Sequence, residues 1–183
     1  ALILGLVEGV TEFLPVSSTG HLILAGSLLR FDGELAASFQ IFIQLGAILA
    51  VVVLYRRRFA RLFAVRDVSG FSGFRGLVML GLTMLPAVML GLIFHKHIKM
   101  YLFNPFNVAA GLLAGGIWIV LAERFRSPPK VDSLDRLTWR HALAIGVFQC
   151  LALWPGMSRS ASTILGGMIV GLDRKTAAEY SFI

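Results

Sequence analysis

Residues 37 to 55, "ASFQIFIQLGAILAVVVLY", run for nineteen positions without a charge and stop against Arg56, Arg57 and Arg58. A stretch this long and apolar, closed by a cationic cluster, reads as a membrane span with its end at the headgroups. Two further runs repeat the pattern, residues 76 to 94 and residues 105 to 122. The whole chain agrees: 183 residues are 57% hydrophobic with mean hydropathy +0.80, more apolar than soluble domains are. We expect an all-α integral membrane protein forming one polytopic domain over residues 1–183. The first residue is Ala1 and the last residues, "AAEYSFI", open another helical pattern, which suggests a chain shortened at its C-terminus.

The formal charge of +7 raises the question of nucleic acid. The basic residues, however, sit in short loops between apolar runs, so the partner expected is the bilayer and nucleic acid is excluded. The loops 56–75 and 123–140 hold eleven Lys or Arg, against three in the connectors 30–36 and 95–104. Two spans separate the basic loops, which puts them on one side, the cytoplasm, with "RFDGELA" outside. Pro86 should kink its span, and Gly111, Gly115 and Gly116 should admit a neighbouring helix closely. Cys150 reads as a small filler. Trp118, Trp139, Tyr55 and Tyr101 read as interface residues, and His95 and His97 as members of a solvated outer loop.

Two segments do not fit a spanning pattern. Residues 1–29 hold a short apolar run, then "PVSSTG", then "HLILAGSLL"; residues 141–171 hold "HALAIGVFQCLALW", then "PGMSRSAS", then "TILGGMIVGL". Matching Pro15 with Pro155 sets Ser18 opposite Ser158 and Thr19 opposite Arg159. The first segment would enter and leave from outside and the second from the cytoplasm. That makes an inverted repeat of re-entrant hairpins, repeat 1 over about 1–122 and an incomplete repeat 2 over about 141–183, whose polar tips meet within the bilayer.

The tips carry chemistry. Glu8 and Glu12 are one helical turn apart, and ionisable residues at membrane depth generally line functional pathways; such a pair shares a proton or holds a divalent cation. Ser17, Ser18 and Thr19 precede Gly20 and His21 at a helix start, which suits an anion such as phosphate, although Ser17 or Ser18 also reads as a simple cap. Arg159, between Ser158 and Ser160, supplies a permanently charged fork for phosphate oxygens. Gln40 and Gln44 serve either helix packing, the reading favoured, or the cavity wall. The set is the equipment for hydrolysis of a phosphate ester or anhydride.

"GLVEGVTEFLPVSSTGHLIL" and "FQCLALWPGMSRSASTILGGM" resemble the two signature regions of the bacterial undecaprenyl-diphosphate phosphatases, the bacitracin-resistance membrane phosphatases. The resemblance continues through "QLGAILAVVV" and "NPFNVAAGLLAGG" and so covers nearly the whole chain. It implies removal of the terminal phosphate from a C55 polyprenyl diphosphate, which recycles the carrier lipid for cell-wall synthesis. It also implies a multi-pass protein of the bacterial inner membrane, re-entrant helices, a site open to the periplasmic face and dependence on Mg²⁺ or Ca²⁺, and it is compatible with a homodimer. Carried over by position, Glu8 and Glu12 are metal or acid–base carboxylates, Ser18 the nucleophile, and His21 its base or the nucleophile itself. Thr19 and Ser17 contact phosphate, and Arg159 with Ser158 and Ser160 holds the diphosphate. A type 2 phosphatidic-acid phosphatase would need a histidine soon after "SRS", which is absent here. A transporter or flippase of an anionic lipid phosphate is the other class that an inverted repeat around a charged site would serve.

Overall fold

The computed structural model describes residues 1–31, 33–63, 70–126 and 128–183. Among the described residues there are nine α-helices: α1 (Leu2–Thr11), α2 (Ser18–Leu28), α3 (Glu34–Leu54), α4 (Arg56–Leu62), α5 (Gly73–His97), α6 (Pro105–Phe125), α7 (Trp139–Gln149), α8 (Arg159–Ile169) and α9 (Arg174–Phe182). The extended pairing described is a single bridge, Val131 to Leu172. The fold is all-α, as the hydropathy pattern requires.

Among the described residues two helices are long and apolar enough to cross a membrane. One is α5, prolonged by a π turn to Leu102, 30 residues of mean hydropathy 2.4; the other is α6, 21 residues at 1.8. The α3–α4 pair becomes a third if counted as one span, but it bends by 80°. The break falls at Tyr55, where the apolar run ends and three arginines begin, so the chain turns aside at the depth where their charges meet water. Leu45 and Leu49 on α3, Leu92 and Ile93 on α5, and Leu113, Ile117 and Val120 on α6 all face outward. Outward apolar surface on this scale is stable against lipid.

The connector at 95–104 is mostly helix and not the solvated loop expected of it. His95 and His97 occupy the last turn of α5, with His97 stacked on Tyr101 at 6.4 Å between centroids. Residues 92 to 103 contain neither Gly nor Pro, so nothing stops the helix before Asn104 and Pro105. There Asn104 caps α6, accepting from the Asn107 N–H at 2.9 Å, and Pro105 takes the first helical position.

Pro86 lies inside α5 without ending it, and α7 packs against that stretch. The contact is close: a Cβ on Gly146 would lie 2.4 Å from the Thr83 carbonyl oxygen. The Thr83 hydroxyl lies 3.0 Å from the Ala142 carbonyl and 2.6 Å from the Tyr180 hydroxyl, which itself donates to the Met79 carbonyl at 3.0 Å. α5, α7 and α9 are thereby tied around a buried polar knot.

The apolar core gathers Leu62, Phe71, Leu134, Leu137, Ile145, Leu165, Leu172 and Tyr180 at the end of the bundle where the basic loops lie. There the Asp135 carboxylate accepts from the Phe71 N–H at 2.6 Å, Arg75 donates to the Leu137 carbonyl at 2.8 Å, and Arg58 pairs with Glu179 at 2.7 Å. The two basic loops touch, so they share a side. Trp118, expected in an interface belt, instead stacks on Phe148 at 5.6 Å with its indole nitrogen buried. Its helix turns that face toward α7.

The remaining helices form two hairpins, α1 with α2 and α7 with α8. At 10 or 11 residues each, these helices rise about 16 Å, half of a hydrocarbon core. In both hairpins a serine caps the second helix: Ser17 accepts from the Gly20 N–H at 3.3 Å and Ser158 from the Ala161 N–H at 3.1 Å. The matching positions are therefore Ser17 and Ser158, one residue off the proline alignment. The second tip carries one extra residue, Gly156, in the left-handed region at φ 101°, a conformation glycine adopts without strain. Arg159 then matches Ser18, and Ser160 matches Thr19.

Candidate active site

Both tips rest on scaffolds that fix their approach. The second lies on α6: a Cβ at Gly111 would meet the Pro155 carbonyl oxygen at 2.3 Å, and one at Gly156 would meet the Val108 carbonyl oxygen at 2.3 Å. The small residues of α6 thus admit a loop where a helix was expected. Gly115 faces the same loop, at Met157, whereas Gly116 has nothing within 4 Å. The first tip reaches α6 through Gly20, whose Cβ position lies 3.0 Å from a Leu112 methyl.

Between the tips lies a cavity of about 310 Å³. Glu12, Ser17, Ser18 and Thr19 line one side and Ser158, Arg159 and Ser160 the other. Ser18 donates its hydroxyl to a carboxylate oxygen of Glu12. Across the gap the Arg159 guanidinium stands 4.0 Å from the other Glu12 oxygen, its side chain 64% exposed against 22% for Glu12. Ser158 and Ser160 hydroxyls lie 3.0 Å apart. Ser17 holds φ 65°, a strained setting for a residue with a side chain, and caps the start of α2, which borders the cavity. Arg159 sits at the first position of α8, where the helix dipole disfavours a cation, so an anion between them would satisfy both.

Two predicted site residues stand apart from this cavity. His21 donates Nδ1–H to the Ser17 carbonyl at 2.8 Å and lines a separate space of about 260 Å³ with Pro15, Gly115 and Gly156. The Ser18 hydroxyl is engaged by Glu12 and not by this imidazole. Glu8 is 2% exposed, neither carboxylate oxygen has a hydrogen-bond partner among the described residues, and the side chain lines a groove between α1 and α3 beside Phe42 and Gly46. A step of four residues advances about 40° past a full turn. Glu12 thus lines the cavity and Glu8 the groove, with Ala47 of α3 lining both that groove and a space that Glu12 also lines.

Gln44, for which helix packing is the favoured reading and the cavity wall the alternative, lines the cavity, and so do Thr11 and Phe103, which the sequence does not single out as site residues. The Gln40–Gln44 pair separates, because Gln40 packs where a Cβ on Gly26 would meet its amide nitrogen at 3.4 Å. Nothing in residues 103 or 11 themselves distinguishes them from neighbours. An adjoining, more apolar cavity of about 380 Å³ shares Glu12, Ile48 and Arg159 and continues past Val51, Val52 and Met84.

Among the described residues no group of three His, Cys, Asp or Glu is placed to hold a metal. Glu12 beside the Ser18 hydroxyl does offer hard oxygen donors of the kind that suits a cation retaining several waters and binding substrate phosphates.

The family model described as "Bacitracin resistance protein BacA" matches residues 1–183. The undecaprenyl-diphosphatase of Maridesulfovibrio salexigens is 61% identical over 183 residues, covering 100% of this chain and 69% of that protein. That of Desulfovibrio desulfuricans is 60% identical with the same coverage. Undecaprenyl-diphosphatase 1 of Bacillus cereus is 51% identical over 187 residues, again 69% of its length.

Proposed function

Since the chain belongs to the bacitracin resistance protein BacA family, we propose that it is a membrane phosphatase. It hydrolyses undecaprenyl diphosphate to undecaprenyl phosphate and phosphate, recycling the carrier lipid for cell-wall synthesis and conferring bacitracin resistance. The observation that carries the reading is the convergence of Glu12, Ser18 and Arg159 on one cavity between two capped helix starts.

In this reading the two hairpins are re-entrant halves of an inverted repeat, about 1–122 and about 141–183, in the bacterial inner membrane. The cavity opens toward the periplasm, opposite the basic loops. The isoprenyl chain lies along the apolar cavity past Val51, Val52 and Met84, while the diphosphate enters between the tips. Arg159 takes phosphate oxygens, assisted by the hydroxyls of Thr19, Ser17, Ser158 and Ser160 and by the N-termini of α2 and α8. Ser18 attacks the distal phosphorus as Glu12 accepts its proton; the bond to the bridging oxygen breaks and undecaprenyl phosphate leaves. Water then displaces Ser18, giving inorganic phosphate and returning the proton to the serine. His21 holds the carbonyl of Ser17 and so fixes the tip. Glu12 with the Ser18 hydroxyl would hold Mg²⁺ or Ca²⁺, which when bound supplies charge neutralisation for the diphosphate; Glu8 lies outside that seat. Phosphoryl transfer asks chiefly for positioning and electrostatics, which this wall provides.

The test is phosphate release from undecaprenyl or farnesyl diphosphate by the purified protein in detergent, with Mg²⁺ or Ca²⁺ and after chelation. Micelles have no two compartments, so release supports hydrolysis, and its absence with either metal favours a transporter.

A further inference from the structure

Gln44 lies on α3 and faces the cavity that Glu12, Ser18 and Arg159 share. Its amide brings two donors and one acceptor, and among the described residues none of these has a hydrogen-bond partner. Several other polar side chains lining the cavity are engaged. Thr11 donates to the Val7 carbonyl at 2.6 Å, Ser17 caps α2, Ser18 binds Glu12, and Ser158 caps α8 while meeting Ser160. One turn earlier Gln40 packs at Gly26. An amide in an apolar spanning helix is costly unless something satisfies it. The cavity also holds the Glu12 carboxylate, which repels a diphosphate, so a neutral donor there is of use to the substrate.

We infer that Gln44 is a phosphate-binding residue of this cavity, donating its side-chain N–H to an oxygen of the diphosphate. The inference rests on the phosphatase reading and adds a contact that neither hairpin supplies. A hydrogen bond made alike to substrate and transition state sets KM more than kcat.

The experiment compares wild type, Gln44→Met, Gln44→Glu and Gln40→Met in detergent with farnesyl diphosphate, and measures inhibition by inorganic phosphate. Gln44→Met should raise KM and the phosphate inhibition constant about tenfold, with kcat within threefold. Gln44→Glu, of nearly unchanged shape, should weaken both further through its charge, and Gln40→Met should stay within twofold of wild type. An active wild type with Gln44→Met or Gln44→Glu unchanged in both constants overturns the inference alone. An inert wild type overturns the phosphatase reading and this one with it. If Gln44→Met does not fold, Gln44→Glu decides.

Discussion

Gly156→Ala places a methyl where the second tip meets α6, and the geometry sets its cost. The new Cβ would stand 2.3 Å from the Val108 carbonyl oxygen, 2.8 Å from the Leu112 nitrogen and 3.0 Å from the Gly111 carbonyl carbon. Ordinary contact begins at 3.4 Å, so the loop must retreat by about 1 Å, and all three neighbours are helix backbone. The residue also holds φ 101°, a region that costs an L side chain about 1–2 kcal/mol. With about 1–3 kcal/mol for overpacking, the total is about 2–5 kcal/mol. Retreat of the tip moves Ser158 and Arg159 away from Glu12, and a misplacement of about 1 Å costs on the order of 10²-fold in rate. Phosphate release and thermal unfolding in detergent read the two effects. Gly111→Ala, 2.3 Å from the Pro155 carbonyl oxygen, should behave alike, whereas Gly116→Ala meets nothing within 4 Å and should be silent. Wild-type rate and melting in Gly156→Ala would refute the packing argument.

Tyr180→Phe removes the hydroxyl joined to Thr83 at 2.6 Å and to the Met79 carbonyl at 3.0 Å. It should cost about 1–3 kcal/mol, seen as a lowered unfolding temperature with the turnover of folded protein retained; an unchanged melt contradicts the knot. Glu8→Gln should keep at least tenfold more kcat/KM than Glu12→Gln, because Glu8 lies in a separate groove; equal losses would place both carboxylates in one seat. With Cys150 replaced by Ser, a cysteine at Lys99 should react with an impermeant maleimide added outside cells and one at Arg126 should not. The reverse pattern would invert the topology.

How much of this could be read from residues alone depended on local chemistry. The spans at 76–94 and 105–122 were legible because hydropathy integrates over twenty positions. The hairpin tips were legible because Pro, Gly and Ser interrupt apolar runs. Their register was not, since the choice of Ser17 over Ser18 as cap follows from a tip one residue shorter than its counterpart, a backbone property. The Glu8–Glu12 spacing fits a shared helix face, but that Glu8 faces a groove against α3 while Glu12 lines the inter-tip cavity depends on α3, a neighbour that helical periodicity leaves unspecified. The resemblance makes His21 the base for Ser18 or the nucleophile itself, whereas in the structure its ring donates to the Ser17 carbonyl, which also accepts its backbone N–H. Trp118 fits an interface belt by position and is drawn inward by Phe148.

The central claim is that Glu12, Ser18 and Arg159 form one hydrolytic site. Its most direct measurement is phosphate release from undecaprenyl diphosphate by wild type beside Glu12→Gln, Ser18→Ala and Arg159→Ala, each with its thermal unfolding. The account predicts a wild type that hydrolyses the lipid and three folded variants each reduced at least about 10²-fold. A folded Ser18→Ala or Glu12→Gln with wild-type turnover would contradict it.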